Sequence, residues 1–290
     1  MAAVLGTNMA SVWASKNLRS AQNDRASSVE RLSSGVRINR AKDDAAGLAI
    51  ANALTQQING SNQGVKNLND GISIVQTAEG AIDAASDMAQ RILTLATQGS
   101  NGSMSSTQRV ALADEMQALW TSIGSIQSRT KFSGISLLNA TADVTIVASN
   151  VASDSITISS TTALEEIHNT AGTAGSTGVG LLYYSINTVG SDTQPTATLF
   201  SDVVTAASGY ITYLDTQRAT LGSLQNQLEY AVDNVSTLSA NLTSARSQVI
   251  DTDYASETAS LTKGQILQQA ATAMLAQANQ MPTVILSLLK

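Results

Sequence analysis

The chain has no cysteine among its 290 residues, so disulfides, thiolate metal sites and thiol nucleophiles are excluded together. A secreted protein built this way draws its stability from elsewhere, and assembly is one source. Aromatic residues make up only 3%, which argues against large compact cores and for slender helices packed through small side chains. Histidine occurs once, as His168. The metal-binding pattern His-Glu-x-x-His is absent, and one histidine with scattered carboxylates is a poor metal site. There is no phosphate-cradling glycine loop and no Gly-x-Ser-x-Gly elbow. No catalytic residue, metal or cofactor is therefore expected. An excess of basic residues is missing too: the net charge is −6 and the pI about 4.7. Electrostatics give no reason to expect nucleic acid or an anionic membrane as partner. No charged side chain precedes Lys16, so a cleaved general-secretory signal is not expected.

Proline is absent from residues 200–249, and that stretch organises the chain. Phe200, Val203, Ala207, Tyr210 and Leu214 begin a series in alternating steps of three and four that runs to Val249, with Gln217 its only polar member. A seam held this long keeps facing a partner only if the helices supercoil. At 1.5 Å per residue the rod is about 75 Å long. Ala51, Leu54, Ile58, Val65, Leu68, Ile72, Val75, Ile82, Ala89, Leu93 and Ala96 predict a second seam, with polar interruptions at Ser61, Glu79 and Ser86. Gly60, Gly64, Gly71 and Gly80 lie within it and permit close approach of neighbouring helices, at a cost in helix propensity. A third helix is capped among Ser105, Ser106 and Thr107, carries Leu112, Met116, Leu119, Ile123 and Ile126, and ends at Lys131-Phe132-Ser133-Gly134.

The two ends are thinner. Leu5, Met9 and Val12, then Val29, Leu32 and Val36, form short apolar stripes, and Gly35 supplies a C-cap signal. Asp43 or Asp44 can cap the helix that follows. Between Lys263 and Lys290 there is no charge, which raises a tail anchor as one reading. Gln265, Gln268, Gln269, Gln277, Gln280 and Pro282 are costly in hydrocarbon, so pairing with the N-terminal helix and with other copies is preferred over membrane insertion. Neither tail buries enough apolar surface alone, so both are expected to order on assembly.

From Asn139 to Thr198 Ser, Thr, Gly and β-branched residues take over. Val144–Ile146, Ser155–Ser159 and Leu181–Ile186 read as strands, Thr162–Glu165 as the capping box of a short helix, and Gly172–Gly180 as a loop. Loop-like in composition and lacking the heptad seam, residues 150–190 are expected to be dispensable for assembly.

Glu30-Arg31-Leu32-Ser33-Ser34-Gly35-Val36-Arg37-Ile38-Asn39, with Ala41-Lys42-Asp43-Asp44-Ala45-Ala46-Gly47-Leu48-Ala49-Ile50, resembles the N-terminal signature of bacterial flagellins. Asn69-Asp70-Gly71-Ile72-Ser73 and Gln76-Thr77-Ala78-Glu79-Gly80-Ala81 continue it in register. Ser244–Ser247, Asp251–Ala255, Gln265–Ala270, Met274–Gln280 and Leu286–Leu289 resemble the C-terminal signature. The similarity covers roughly residues 1–139 and 199–290, in the family's order.

The resemblance implies a mainly α fold: an elongated helical, coiled-coil rod with N- and C-terminal helices paired, plus a small β-rich insertion. Residues 1–43 with 251–290 then form a terminal helical domain of the filament core, 44–139 with 199–250 the helical rod, and 140–198 a short variable surface region. It implies a structural subunit that polymerises into the extracellular flagellar filament used for motility. It also implies export of the unfolded chain through the flagellar type III apparatus, with an export chaperone, a filament cap and hook–filament junction proteins as partners. Leu5, Val12, Leu32, Ile266, Leu267, Met274, Leu275, Leu286 and Leu289 are the candidate assembly contacts. In flagellins recognised by Toll-like receptor 5 the contact patch resembles Gln-Arg-x-Arg-Glu-Leu-Ala, completed by a glutamate on the next helix. The matching residues here are Arg91, Leu95 and Glu115, with Leu93 and Thr94 replacing the arginine and glutamate. Without the family, Leu95 reads as an exposed helix residue and Arg91 as a solvated charge. A hook–filament junction protein shares similar termini and is the first alternative, but the run Gln265–Asn279 and the Leu286–Leu289 end favour a flagellin. An enzyme is the second, without a catalytic constellation behind it.

Overall fold

A computed structural model of the chain describes residues 8–138, 143–149, 154–160, 167–168, 179–192 and 195–288, without the side chains of 181 and 281–288. The chain is mainly α-helical. In order it forms α1 (Met9–Ser34), α2 (Ala45–Gly99), α3 (Ser106–Arg129), β1 (Lys131–Phe132), β2 (Ile135–Ser136), β3 (Val144–Val147), β4 (Ser155–Ile158), α4 (Val179–Ser191), α5 (Ala197–Ile250) and α6 (Tyr254–Leu288). By packing it divides into two units, 1–58 with 240–290 and 59–239, so the division falls inside α2 and α5 rather than at their ends.

In the first unit α1 and α6 run antiparallel. Asn8 donates its side-chain amide to the carbonyl of Ala278 at 2.7 Å, and Arg25 donates to Gln268 at 2.8 Å. Arg31 and Glu257 lie 3.7 Å apart near the other end. The α1 side of this pair is small: Ala14, Ala21 and Ser28 are buried at seven-residue intervals. Buried Gly264 and Ala278 answer them from α6. Such a spacing is a coiled-coil seam, but one of small residues that lets the backbones approach.

The connectors between helices are tied to each other. Gly35 ends α1 at φ 73°, its N–H bonded to the carbonyl of Arg31 at 2.8 Å. A bridge then pairs Val36 with Asp251, flanked by Arg37 N–H to Ile250 carbonyl at 2.6 Å and Thr252 N–H to Gly35 carbonyl at 3.0 Å. The choice between Asp43 and Asp44 as cap is resolved by their partners. Asp44 accepts from the N–H of Gly47 at 2.8 Å and caps α2. Asp43 accepts from the N–H groups of Arg40 and Asn39, and these bonds hold its carboxyl below its ordinary pKa.

In the second unit α2, α3 and α5 enclose one core. The α5 seam is buried from Phe200 through Leu221, Gln217 included. The α2 seam differs in register from the sequence expectation. Ser61, Gly64, Leu68, Gly71, Val75, Ala78, Ile82, Ala85, Ala89, Ile92, Ala96 and Gly99 are buried in unbroken steps of three and four, whereas Val65, Ile72, Glu79 and Leu93 are only half-buried. Two of the glycines admit a close neighbour that is a β-hairpin, not a helix. A Cβ on Gly64 would overlap the Ala148 carbonyl, and one on Gly71 would press on Ile146 at 3.1 Å. Asn67, between them, donates to the Val147 carbonyl at 3.0 Å.

Ser105 caps α3 in a reciprocal box with Gln108. Lys131–Ser136 then forms a hairpin, turning at Ser133 and Gly134 with φ 49° and 86°, the paired positive angles of a two-residue turn. The alternation predicted strands β3 and β4, and they pair antiparallel with Val144 opposite Ile158. The expected strand Leu181–Ile186 is instead part of helix α4: Leu182, Ser185, Ile186 and Val189 are buried, a spacing of three, four and seven. A six-residue apolar run carries too little periodicity to separate the two forms. The Thr162–Glu165 capping box lies outside the described residues, as does the expected loop up to residue 178; Val179 and Gly180 begin α4.

Nor is this region detached from the core. Ile146, Ile158, Ile167, Leu182, Ile186 and Val189 all belong to it. Ile167 and His168 are clamped: the side-chain oxygen of Gln127 accepts from both backbone N–H groups, at 3.0 and 2.6 Å. The His168 ring packs on Trp120 at 4.7 Å, and a Cβ on Gly124 would come within 2.9 Å of it. These residues are thus part of the fold of the second unit and not an appendage to it.

Candidate assembly interface

Small residues between α1 and α6 leave the large ones outside. Val12 is exposed, Ile266 is 60% and Leu267 47% exposed, and Met274 reaches 65%. Leu32 and Leu275 are half-buried. Leu5 and Leu289 lie outside the described residues, as does the side chain of Leu286. Two further exposed residues, Met9 and Trp13, were not among the candidates. The recurrence of Ala14, Ala21 and Ser28 was the available signal, because a seam of small residues turns its bulky neighbours outward. Met9, Trp13, Leu267 and Met274 line an open groove of 730 Å³ above Ala14 and Ala278. The ammonium of Lys16 sits 5.2 Å from the Trp13 ring centroid, within range of a cation–π contact.

The second candidate patch lies in the other unit. Arg91 of α2 donates from Nε and Nη2 to one carboxylate oxygen of Glu115 on α3, at 3.0 and 2.7 Å. Both side chains are about half exposed, so the pair adds little stability, about 0–1 kcal/mol. Leu95 is only 1% exposed and is a core residue, which corrects its reading as a surface position. The helix buries Leu95 because it is covered on more than one side here. Leu93, half-buried, faces a shallow groove with Thr94, Thr97 and Met104.

No group of His, Asp or Glu among the described residues is arranged to hold a metal ion. No described helix is long and apolar enough to cross a membrane.

Residues 5–143 match the bacterial flagellin N-terminal helical region, and 204–289 match the C-terminal helical region. Flagellin B of Vibrio cholerae is 33% identical over the whole of both chains, and polar flagellin A of Vibrio parahaemolyticus 34%. The chain belongs to the bacterial flagellin family. Flagellins are structural proteins of the flagellar filament, not enzymes. The solved structure of a putative flagellar hook-associated protein from Vibrio parahaemolyticus is similar in fold, with a TM-score of 0.59 over 72% of this chain and 100% of its own, at 14% identity. The two flagellin regions take in α1 to α3 and nearly all of α5 and α6. Between them lie β3, β4 and α4, which this flagellin packs into the core of its second unit.

Proposed function

We propose that this flagellin polymerises through the outward apolar faces of α1 and α6, each docking on further copies through heterologous contacts that do not close into a ring. The observation that carries the reading is the division of labour in the pair. Small Ala14, Ala21, Gly264 and Ala278 hold α1 to α6, while Met9, Val12, Trp13, Ile266, Leu267 and Met274 stay in water. Clustered exposed apolar residues of this size mark an interaction surface. The subunit is exported unfolded through the flagellar type III apparatus, meets a chaperone on its C-terminal segment, and assembles outside the cell beneath a cap and beyond junction proteins. Family resemblance supports that sequence of events, and a chain without cysteine needs no disulfide formed after transit. Released monomer presents Arg91 and Glu115 to Toll-like receptor 5. The exposed ion pair supports that contact, which is weaker than in flagellins carrying the full run because Leu93 and Thr94 stand in place of the arginine and glutamate.

Nucleated polymerisation of purified monomer, followed by electron microscopy, tests the assembly reading. Long filaments are expected from the parent and few or none from an Ile266→Ser/Leu267→Ser variant with unchanged helicity. Normal filaments from that variant would overturn it.

A further inference from the structure

The groove between α1 and α6 carries two sulfur atoms on facing helices, those of Met9 and Met274. Methionine is the only sulfur-bearing residue in the sequence, seven copies against no cysteine. The two residues are 54% and 65% exposed. Of the other methionines whose side chains are described, Met88 and Met104 are half-buried and Met116 is fully buried. Among the described methionine side chains, access therefore selects this pair. Exposure governs how readily a thioether meets an oxidant, and the product is a polar group where an apolar one stood. Trp13, Leu267 and the alanines make most of the lining apolar, with Asn17, Ser20 and Gln277 its neutral polar side chains.

We propose that Met9 and Met274 form a paired oxidation site through which peroxides switch off assembly. The proposal rests on the reading of the α1–α6 face as an assembly surface. A sulfur lone pair attacks one oxygen of hydrogen peroxide, the S–O bond forms as the O–O bond breaks, and the departing hydroxide leaves as water after proton transfer. Each sulfur is oxidised by two electrons and each peroxide reduced by two. The resulting sulfoxides sit in a mostly apolar groove, where burial of the added polar oxygen against another copy is opposed. The modification is reversible, because one reductase exists for each sulfoxide epimer. Assembly should also protect the pair, since polymerisation covers both sulfurs.

The test uses the full chain as purified monomer, treated with hydrogen peroxide, mapped by peptide mass spectrometry and then seeded to polymerise. Sulfoxide is expected at Met9 and Met274 well before Met116, with at least a tenfold fall in polymerised protein. Treatment with both methionine sulfoxide reductases should restore it. Filaments exposed to the same peroxide should be modified at least tenfold more slowly at both positions. A Met9→Leu/Met274→Leu variant, scored against its own untreated sample, should lose little to peroxide. Unchanged polymerisation of protein carrying both sulfoxides would overturn the proposal, as would equal sensitivity of the leucine variant.

A Met9→Gln/Met274→Gln variant, with helicity checked by circular dichroism, separates the two levels. If it polymerises normally, this groove is not an assembly surface and the underlying reading fails with the proposal. If it does not polymerise while the doubly oxidised parent does, the oxidation proposal alone fails.

Discussion

Tyr210 donates its hydroxyl hydrogen to the backbone carbonyl of Ile167 at 2.6 Å, joining the first third of α5 to a segment outside both flagellin regions. Both residues are fully buried. Tyr210→Phe keeps the ring and leaves that carbonyl unpaired, at about 1–3 kcal/mol. Chemical denaturation should report a loss in that range.

The same phenol makes stability depend on alkali. Burial, and secondarily the neighbouring Tyr213, pushes its pKa well above the ordinary value. In the unfolded chain the phenol ionises near pH 10, whereas in the folded protein it stays neutral. Its contribution is complete below pH 10 and is lost as pH rises beyond it. The slope is about 1.4 kcal/mol per pH unit. Unfolding by urea at pH 9.5 to 11.5 should show the parent losing stability faster than Tyr210→Phe.

Two glycines of α2 should respond oppositely to alanine. A Cβ on Gly80 meets nothing within 4 Å, so Gly80→Ala should stabilise by about 0.5–1 kcal/mol through helix propensity. Gly64→Ala should destabilise by about 1–3 kcal/mol, because the obstacle is the backbone of Ala148 and the hairpin must move. Thermal unfolding of both variants checks the sign.

Replacing residues 150–190 by a Gly/Ser linker should unfold the second unit rather than trim a surface. The exchange removes Ile158, Ile167, Leu182, Ile186 and Val189 from the core, each worth about 2–5 kcal/mol by truncation. Circular dichroism should show a broad, early melt. A sharp transition at the parent temperature would contradict the packing.

Receptor activation should rise in a Leu93→Arg/Thr94→Glu variant, which adds two charged groups beside the Arg91–Glu115 pair. Charge-assisted hydrogen bonds are worth about 1.5–3 kcal/mol each when well formed. Reporter cells treated with purified monomer measure the change. Equal potency with an unchanged fold would count against the patch.

How far the sequence reaches is clearest in α2. Long heptad spacing and capping signals were enough to locate all the major helices, because burial on one helical face repeats along the chain. The register of the α2 seam was not legible. Val65, Ile72 and Leu93 drew the eye as the larger apolar residues, while the buried line runs through Gly64, Gly71 and Ile92. Hydrophobicity says which residues gain by burial, but a seam also needs room, and room is set by what lies opposite. Ala148 and Ile146 are more than fifty residues away in the chain and decide it only once folded. The same holds for α1, where Ala14, Ala21 and Ser28 lie inward and Trp13 outward. Sequence alone determined the family, the long helices other than α4 and the tails' apolar character, since these follow from local periodicity and signature residues. Tertiary structure decided which faces are used up inside the subunit and which remain exposed, because that depends on distances between segments remote in the chain.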